Sequence, residues 1–343
     1  MSRLVTHQQE SAAGALLAQL VAIPSVNPRS RPGRRPPYGE HESALFVADY
    51  ARSLEAAVEV EEVLPGRPNV YGHWGPADAG LILATHLDTV AADKAGRLLR
   101  PRMEAHRLYG RGACDAKGSL AAMLLACREA RKRLRTGLTL AALADEEHRF
   151  RGVRNFLKQK PKARLVIVGE PTGLQPAIAT KGCVRFRVLV KGKAAHTSDP
   201  CAGINAVSKA SQLIAALENK LSRRLASRPH PLLGPATLAV TMIRGGTEVN
   251  IVPAGCAFHV DRRLLPGETP QEALAQVGHV LGHLRARDPS FDAVVERPYL
   301  TDPPLDQNPD EPAVQSFLKT CGRLLGHSTP IPVSYTHLRA HET

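Results

Sequence analysis

Four short segments carry the side chains that could do chemistry. His86-Leu87-Asp88 closes an apolar run, and the period of two along an extended chain puts His86 and Asp88 on one face with Leu87 on the other. A carboxylate beside a metal-binding imidazole can orient the ring and raise its basicity. Asp115 lies in the glycine-rich stretch 108–119, whose order Lys117-Gly118-Ser119 does not fit a phosphate loop, which needs Gly-Lys-Ser/Thr. A structural glycine turn and a loop that aims Asp115 into a cleft are both open readings of that stretch. Asp145-Glu146-Glu147 and Gly169-Glu170-Pro171 each end another apolar run. Taken singly, each cluster reads as a packed histidine or a solvated acidic loop. Together they offer the oxygen and imidazole donors that divalent cations bind, and two metals about 3.5–4 Å apart can share a carboxylate.

The elements that must position these residues are short apolar strands alternating with helices. Residues 69–74, 80–88, 139–147 and 163–171 read as strands, and 119–135 as a helix on the spacing of Leu120, Met123, Leu124 and Cys127. The pattern suggests a mainly parallel sheet covered on both faces, in which ligands bind beyond the carboxyl ends of the strands. Residues 27–40 hold four prolines and read as a loop after a first helix. From about residue 180 the pattern changes. Strands at 183–193, 236–246, 255–265 and 291–296 alternate with helices at 205–221 and 269–287, the second opened by a Thr269–Glu272 capping box with Pro270 at its first position. That βαββαβ order is the order of a two-layer ferredoxin-like domain, and a helix at 312–326 suggests that this domain is inserted into the first.

The 343 residues, 43% hydrophobic and 22% charged, are ordinary globular composition, and no apolar run approaches the ~20 residues of a membrane span. The N-terminus lacks the continuous apolar stretch of a signal peptide. A formal charge of +13 could suit nucleic acid, but aromatics are only 4% and the excess is largely arginine scattered over solvated faces. No nucleic-acid or membrane partner is expected. Six dispersed cysteines without a CxxC pair point to reduced thiols and a cytoplasmic location.

The ordered series THLDTV, LYGRGACDAKGSLAAML, ADEE, VGEPT, GKAAHTSDPCAGINA and EVNIVPAGCAFHVDRRLLPGE resembles the M20 metallopeptidase family, in the branch of acetylornithine deacetylase and succinyl-diaminopimelate desuccinylase. The resemblance runs from about residue 15 to 332. It implies an α/β fold, a zinc-exopeptidase-like doubly wound mixed sheet with an inserted ferredoxin-like lid and dimerisation domain. The implied boundaries are 1–178 for the first part of the catalytic domain, 179–297 for the lid and 298–333 for the second part. The cofactor implied is zinc, up to two ions per chain, with cobalt or manganese as possible substitutes. His86, Asp115 and Glu170 would bind the first ion, and Asp115 and Glu147 the second. Asp88 would orient His86, and Glu146 would be the general base. His196 would stabilise the oxyanion in a partner's site, and Asn250 and Arg263 would hold the polar end of the substrate. The expected activity is hydrolysis of an N-acyl amino acid or short peptide by a homodimer joined through the lid, with a place in arginine biosynthesis if the substrate is N-acetylornithine. The alternative from another class is a non-catalytic dimeric binding protein.

The family continues with a Gly-Pro-Gly segment and a final metal-binding histidine that this chain lacks. Residues 334–343 do not resemble the family and look like translated adapter sequence, so weak binding of the second zinc and low activity are expected of this chain. The spacing of His337 and His341 imitates a helical zinc pair, but the segment has no apolar face.

Overall fold

Strands that are apolar at nearly every position must be covered on both sides, and the computed structural model shows how. It describes residues 7–29, 37–76, 80–91, 96–104, 107–326 and 330–333; His337, His341 and the rest of the tail lie outside them. The described chain forms two units. One runs to Leu174 and takes back Pro312–Gly326, and the other is Gln175–Glu311 with the strand at 331–333.

The first unit contains α1 (His7–Ala22), α2 (His41–Ser53), β1 (Ala57–Leu64), β2 (Arg67–Trp74), β3 (Gly80–His86), the small hairpin β4 (Arg102–Glu104) and β5 (Arg107–Tyr109), α3 (Lys117–Ala130), β6 (Leu138–Leu143), α4 (Arg151–Lys158) and β7 (Ala163–Val168). Its main sheet has the order β1-β2-β6-β3-β7. β6, β3 and β7 are parallel, whereas β1–β2 and β2–β6 are antiparallel, so the sheet is mixed rather than mainly parallel. The difference arises from β1, which follows α2 and turns straight into β2. Leu16 and Leu20 of α1, Val47 and Ala48 of α2 and Leu120 and Leu124 of α3 pack on Val70, Leu83 and Leu140 from one side. Phe156 of α4 packs on Tyr71, Ile82 and Leu143 from the other. The sheet is therefore doubly wound. Helix α3 begins at Lys117 and ends at Ala130, five residues before the expected Arg135, because the cationic run after it offers the core only Leu134.

In the second unit come β8 (Ala177–Thr180), β9 (Gly182–Lys191), α5 (Ala206–Ala216), α6 (Ser222–Ala226), β10 (Thr237–Gly245), β11 (Gly255–Leu264), α7 (Pro270–Arg287), β12 (Asp292–Val295), β13 (Leu300–Asp302) and β14 (Leu305–Asp306). Helix α8 (Pro312–Leu325) belongs to the first unit, and β15 (Ile331–Val333) pairs with β8 in the second. The order β10-β11-β9-β12, all antiparallel, is that of a ferredoxin-like sheet. Phe186, Val188, Phe258 and Val260 face α5 and α7, and the Thr269–Glu272 capping box with Pro270 opens α7 as the sequence indicates. The helix after Asn205 does not stop at Leu221 but passes through a π-helical turn at Leu217–Leu221 into α6. Residues 298–311, grouped by sequence with the first domain, lie in the second unit, because β13 pairs with β9 and β14 with β8. The first boundary likewise falls at Leu174–Gln175 rather than 178–179.

Candidate active site

Strand register brings the chemistry together. His86 pairs with Leu143 across β3–β6, and Ala84 with Val168 across β3–β7. The carboxylates that follow Leu143 and Val168 therefore emerge beside His86, at the carboxyl ends of three adjacent parallel strands. Main-chain contacts fix the exits. Leu87 N–H donates to Leu143 O at 2.8 Å, Gly169 N–H to Ala84 O at 2.8 Å, and the Thr85 hydroxyl to Gly169 O at 3.0 Å. Asp115 arrives from the loop ahead of α3.

His86 is buried, and its Nδ1–H donates to the main-chain carbonyl of Asp88 at 2.8 Å, which leaves Nε2 facing Asp115 Oδ1 at 2.9 Å and Glu170 Oε1 at 4.0 Å. The Asp88 carboxylate is 3.6 Å from Nδ1, so it is the Asp88 carbonyl, more than its carboxylate, that orients the ring. The carboxylate is occupied elsewhere. Oδ1 accepts the Glu146 N–H and Oδ2 the Glu147 N–H, each at 3.0 Å, and Oδ2 also accepts Asn27 Nδ2 at 2.6 Å.

Two sets of possible ligand atoms lie within 4.8 Å of one another, His86 with Asp115 and Glu170, and His86 with Glu146 and Glu147. Asp115 is absent from the second set. The electrostatics of this cluster are those of a site built for a cation. Although burial works against it, hydrogen bonds to Asp115 and Asp88 with Glu170 and Glu146 nearby hold the His86 pKa well above the ordinary value. Burial pushes Glu170 up to about 7; His86 opposes this, while the Asp115 and Asp88 charges add to it. Burial also raises Glu146 well above the usual carboxylate range, with Glu170, Glu147 and Asp88 adding to it against His86. Buried oxygen donors that repel one another around one imidazole fit a divalent metal, which neutralises them together.

His196, Asn250 and Arg263 belong to the second unit. His196 and Asn250 are neighbours: His196 bridges Ile251, and Thr197 N–H donates to Asn250 O at 3.0 Å. The exposed His196 ring accepts the Ser198 N–H at Nδ1 (3.1 Å), which leaves the ring hydrogen of the neutral form on Nε2. Arg263 is engaged by Asp261, Nε to Oδ1 at 2.8 Å, and Asp261 Oδ2 also accepts Arg185 Nε at 2.8 Å.

The sequence reading missed the side chains packed behind the acidic turn. Arg67 and Asn69 share a face of β2 with Tyr71, and two polar residues on the buried face of a strand are a signal for internal partners. Arg67 makes a two-pronged pair with Glu40, and Asn69 accepts the Ala144 N–H. Lys117, two residues after Asp115, is also buried and donates to Leu20 O at 3.0 Å and Ile23 O at 2.6 Å, at the carbonyl end of α1.

Comparison with known proteins places this geometry. The model of a peptidase dimerisation domain matches residues 178–289, and that of peptidase family M28 matches residues 69–174. The chain is 33% identical over 236 residues to an acetylornithine deacetylase of Vibrio cholerae, covering 67% of this chain and 62% of that protein; it thus spans less than two thirds of that relative's length. It is 32% identical over 293 residues to an acetylornithine deacetylase of Aliivibrio fischeri, covering 83% of this chain and 77% of that one. A tripeptidase from Staphylococcus aureus shares the fold with a TM-score of 0.74 at 19% identity, over 95% of this chain and 84% of that one. So does a dinuclear metal-binding M20 peptidase from Bacillus subtilis, with a TM-score of 0.63 at 14% identity, over 95% of this chain and 82% of that one. With its acids and histidine gathered at the carboxyl ends of a mixed sheet and a dimerisation-type second unit, the chain belongs to the M20 metallopeptidase family, in the branch that includes the acetylornithine deacetylases.

Proposed function

We propose that this chain is a metal-dependent amidohydrolase that removes the acyl group from an N-acyl amino acid, with N-acetylornithine the first candidate substrate and zinc the metal. The observation that carries the reading is the meeting of His86, Asp115 and Glu170, with Glu146 and Glu147 beside the same imidazole. A divalent cation in such a set polarises an amide carbonyl and acidifies water. His86 through Nε2, Asp115 and Glu170 would hold one ion, and Glu147 would contribute to a second. Glu146, buried among other acids and held above the usual carboxylate range, takes a proton from the attacking water and passes it to the leaving amine. Asp88 keeps Glu146 and Glu147 in place through their backbone amides.

In the second unit, the Nε2–H form of His196 suits donation to a developing oxyanion in the site of a partner subunit, which calls for a homodimer joined through that unit. Asn250 and Arg263 hold the polar end of the substrate, and Arg263 exchanges Asp261 for the substrate's carboxylate. A cytoplasmic setting and a role in arginine biosynthesis follow from this substrate.

The test is a hydrolysis panel of N-acetylornithine, succinyl-diaminopimelate, other N-acyl amino acids and dipeptides, run with zinc per chain and Glu146→Gln alongside. Acetate release from N-acetylornithine, lowered ~10²–10⁴-fold in Glu146→Gln with metal content unchanged, is the expected result. Equal rates on dipeptides sink the deacetylase assignment in favour of a peptidase. Zinc-free protein without hydrolysis favours the non-catalytic binding protein.

A further inference from the structure

The acidic turn after β6 is held from behind as well as by its own backbone, in which Phe150 N–H donates to Asp145 O at 2.8 Å and Gly152 N–H to Ala144 O at 3.0 Å. Four consecutive backbone N–H groups each find a buried side chain from elsewhere in the chain. Ala144 donates to Asn69 Oδ1 at 2.9 Å, Asp145 to Glu40 Oε1 at 3.0 Å, and Glu146 and Glu147 to the two oxygens of Asp88 at 3.0 Å each. Within this run Asp145 sits at φ 63°, a left-handed conformation that a non-glycine residue keeps only where its surroundings over-determine it. Its carboxylate supplies that constraint. Oδ1 forms an ion pair with Arg67 Nη2 at 3.0 Å and accepts from Asn27 at 3.1 Å, and Oδ2 accepts from Arg151 at 2.6 Å. Arg67 is locked in turn by its two bonds to Glu40, both at 2.6 Å, with neither side chain more than 1% exposed.

A buried ion pair is a poor source of net stability, since apolar residues of the same volume do as well or better. What a planar, two-pronged pair does supply is one fixed geometry that a lysine cannot reproduce. We propose that Arg67 and Glu40, joined to Asp88 through Asp145 and Asn27, are positioning residues of the candidate active site: they lock Asp145 in its left-handed conformation, and so set the directions in which Glu146 and Glu147 leave the turn. Arg67, Glu40 and Asn27 bond to the turn and to Asp88 rather than to His86, Asp115 or Glu170; they act through the backbone of the turn. The catalytic consequence rests on the function proposed above, whereas the clamp itself does not.

The experiment compares the wild-type chain with Arg67→Lys, which keeps the charge and removes the fork. Amide hydrogen exchange is read on peptides covering 144–150 and, as the internal control, on peptides covering 138–143 in β6. Exchange in 144–150 is expected to quicken about tenfold while 138–143 stays as in the wild type. Zinc affinity, read by chelator competition, is expected to weaken, and kcat on the substrate found in the panel to fall about tenfold with KM within about twofold. Unchanged exchange at 144–150, or acceleration shared equally by 138–143, overturns the proposal. Should Arg67→Lys fail to fold, Asn27→Ala asks the same question from the less buried side of the network, with the same two readings. A wild-type chain that hydrolyses nothing and binds no zinc refutes the proposed function, and the exchange comparison still decides the clamp.

Discussion

The two main sheets of this protein use polar side chains in opposite ways. Of the thirteen buried polar or charged side chains among the described residues, eleven lie in the first unit, and only Lys181 and Arg262 lie in the second. The first unit's sheet is covered on both faces, and most of its buried polar groups collect at one end of the strands, tied to partners far away in sequence such as Glu40 to Arg67 and Asp88 to Asn27. The second unit's sheet is covered on one face only. Along β9 and β11 fully buried residues alternate with partly exposed ones, and the open face carries the pairs Arg185–Asp261, Arg187–Glu296 and Arg263–Asp261. Partly exposed charges can change partner at smaller expense than charges in a core. The first arrangement suits chemistry that needs fixed angles, and the second suits a surface that meets something else.

The contrast is broken most severely at Asp88. Asp88→Ala removes the acceptor for two backbone amides and Asn27 in a fully buried place, so a loss of about 3–5 kcal/mol is expected from denaturant unfolding of the metal-free chain. Gly152→Ala comes next. A Cβ there would stand 2.2 Å from Ala144 O and 2.7 Å from Asn69 Oδ1, displacing the support of the acidic turn, and about 2–3 kcal/mol of destabilisation should appear in the same assay.

A pH series sharpens the point. Burial raises Glu170 from 4.5 to about 7, so in the metal-free chain its contribution is harmless below pH 4.5 and becomes destabilising as pH rises through about 7. Metal-free Glu170→Gln should therefore be about 2 kcal/mol more stable than the wild type at pH 8 and equal to it at pH 4. Added zinc should reverse the order at pH 8. The smallest effect lies in the second unit. Gly278 is inside α7 with nothing within 4 Å of an added Cβ, so Gly278→Ala should stabilise by about 0.5–1 kcal/mol, visible as a small rise in Tm.

Much of this architecture was legible because its signals are local. The capping box at Thr269 and Glu272, the alternation in β9 and the acids at strand ends all depend on residues within a few positions of one another. The βαββαβ order followed from them. What the sequence did not disclose depends on distant pairing. Glu40 meets the Asp145 amide across 105 positions, and Asp88 meets Glu146 across 58, so Glu40 reads as an ordinary surface acid. Helix α2 and strand β1 escaped because β1, AVEVEEVL, carries acids at exposed and half-exposed positions and sits at the sheet's edge. The mixed direction of the sheet followed from the same omission. Asp88 illustrates the middle case: its type and place were readable, while the atoms it holds were not.

The buried ammonium of Lys117 ties α1 to the loop that carries Asp115. It enters the first turn of α3 just after Asp115 and, among the described residues, is answered by carbonyls at the close of α1, against a burial that lowers its pKa to about 7. A protease or an expression design that trimmed the chain past Ile23 would take away both acceptors and strand a cation inside the fold beside the candidate metal loop. Helix α1 is thus an integral part of the fold, and shortened versions should be judged by their metal loop as much as by their solubility.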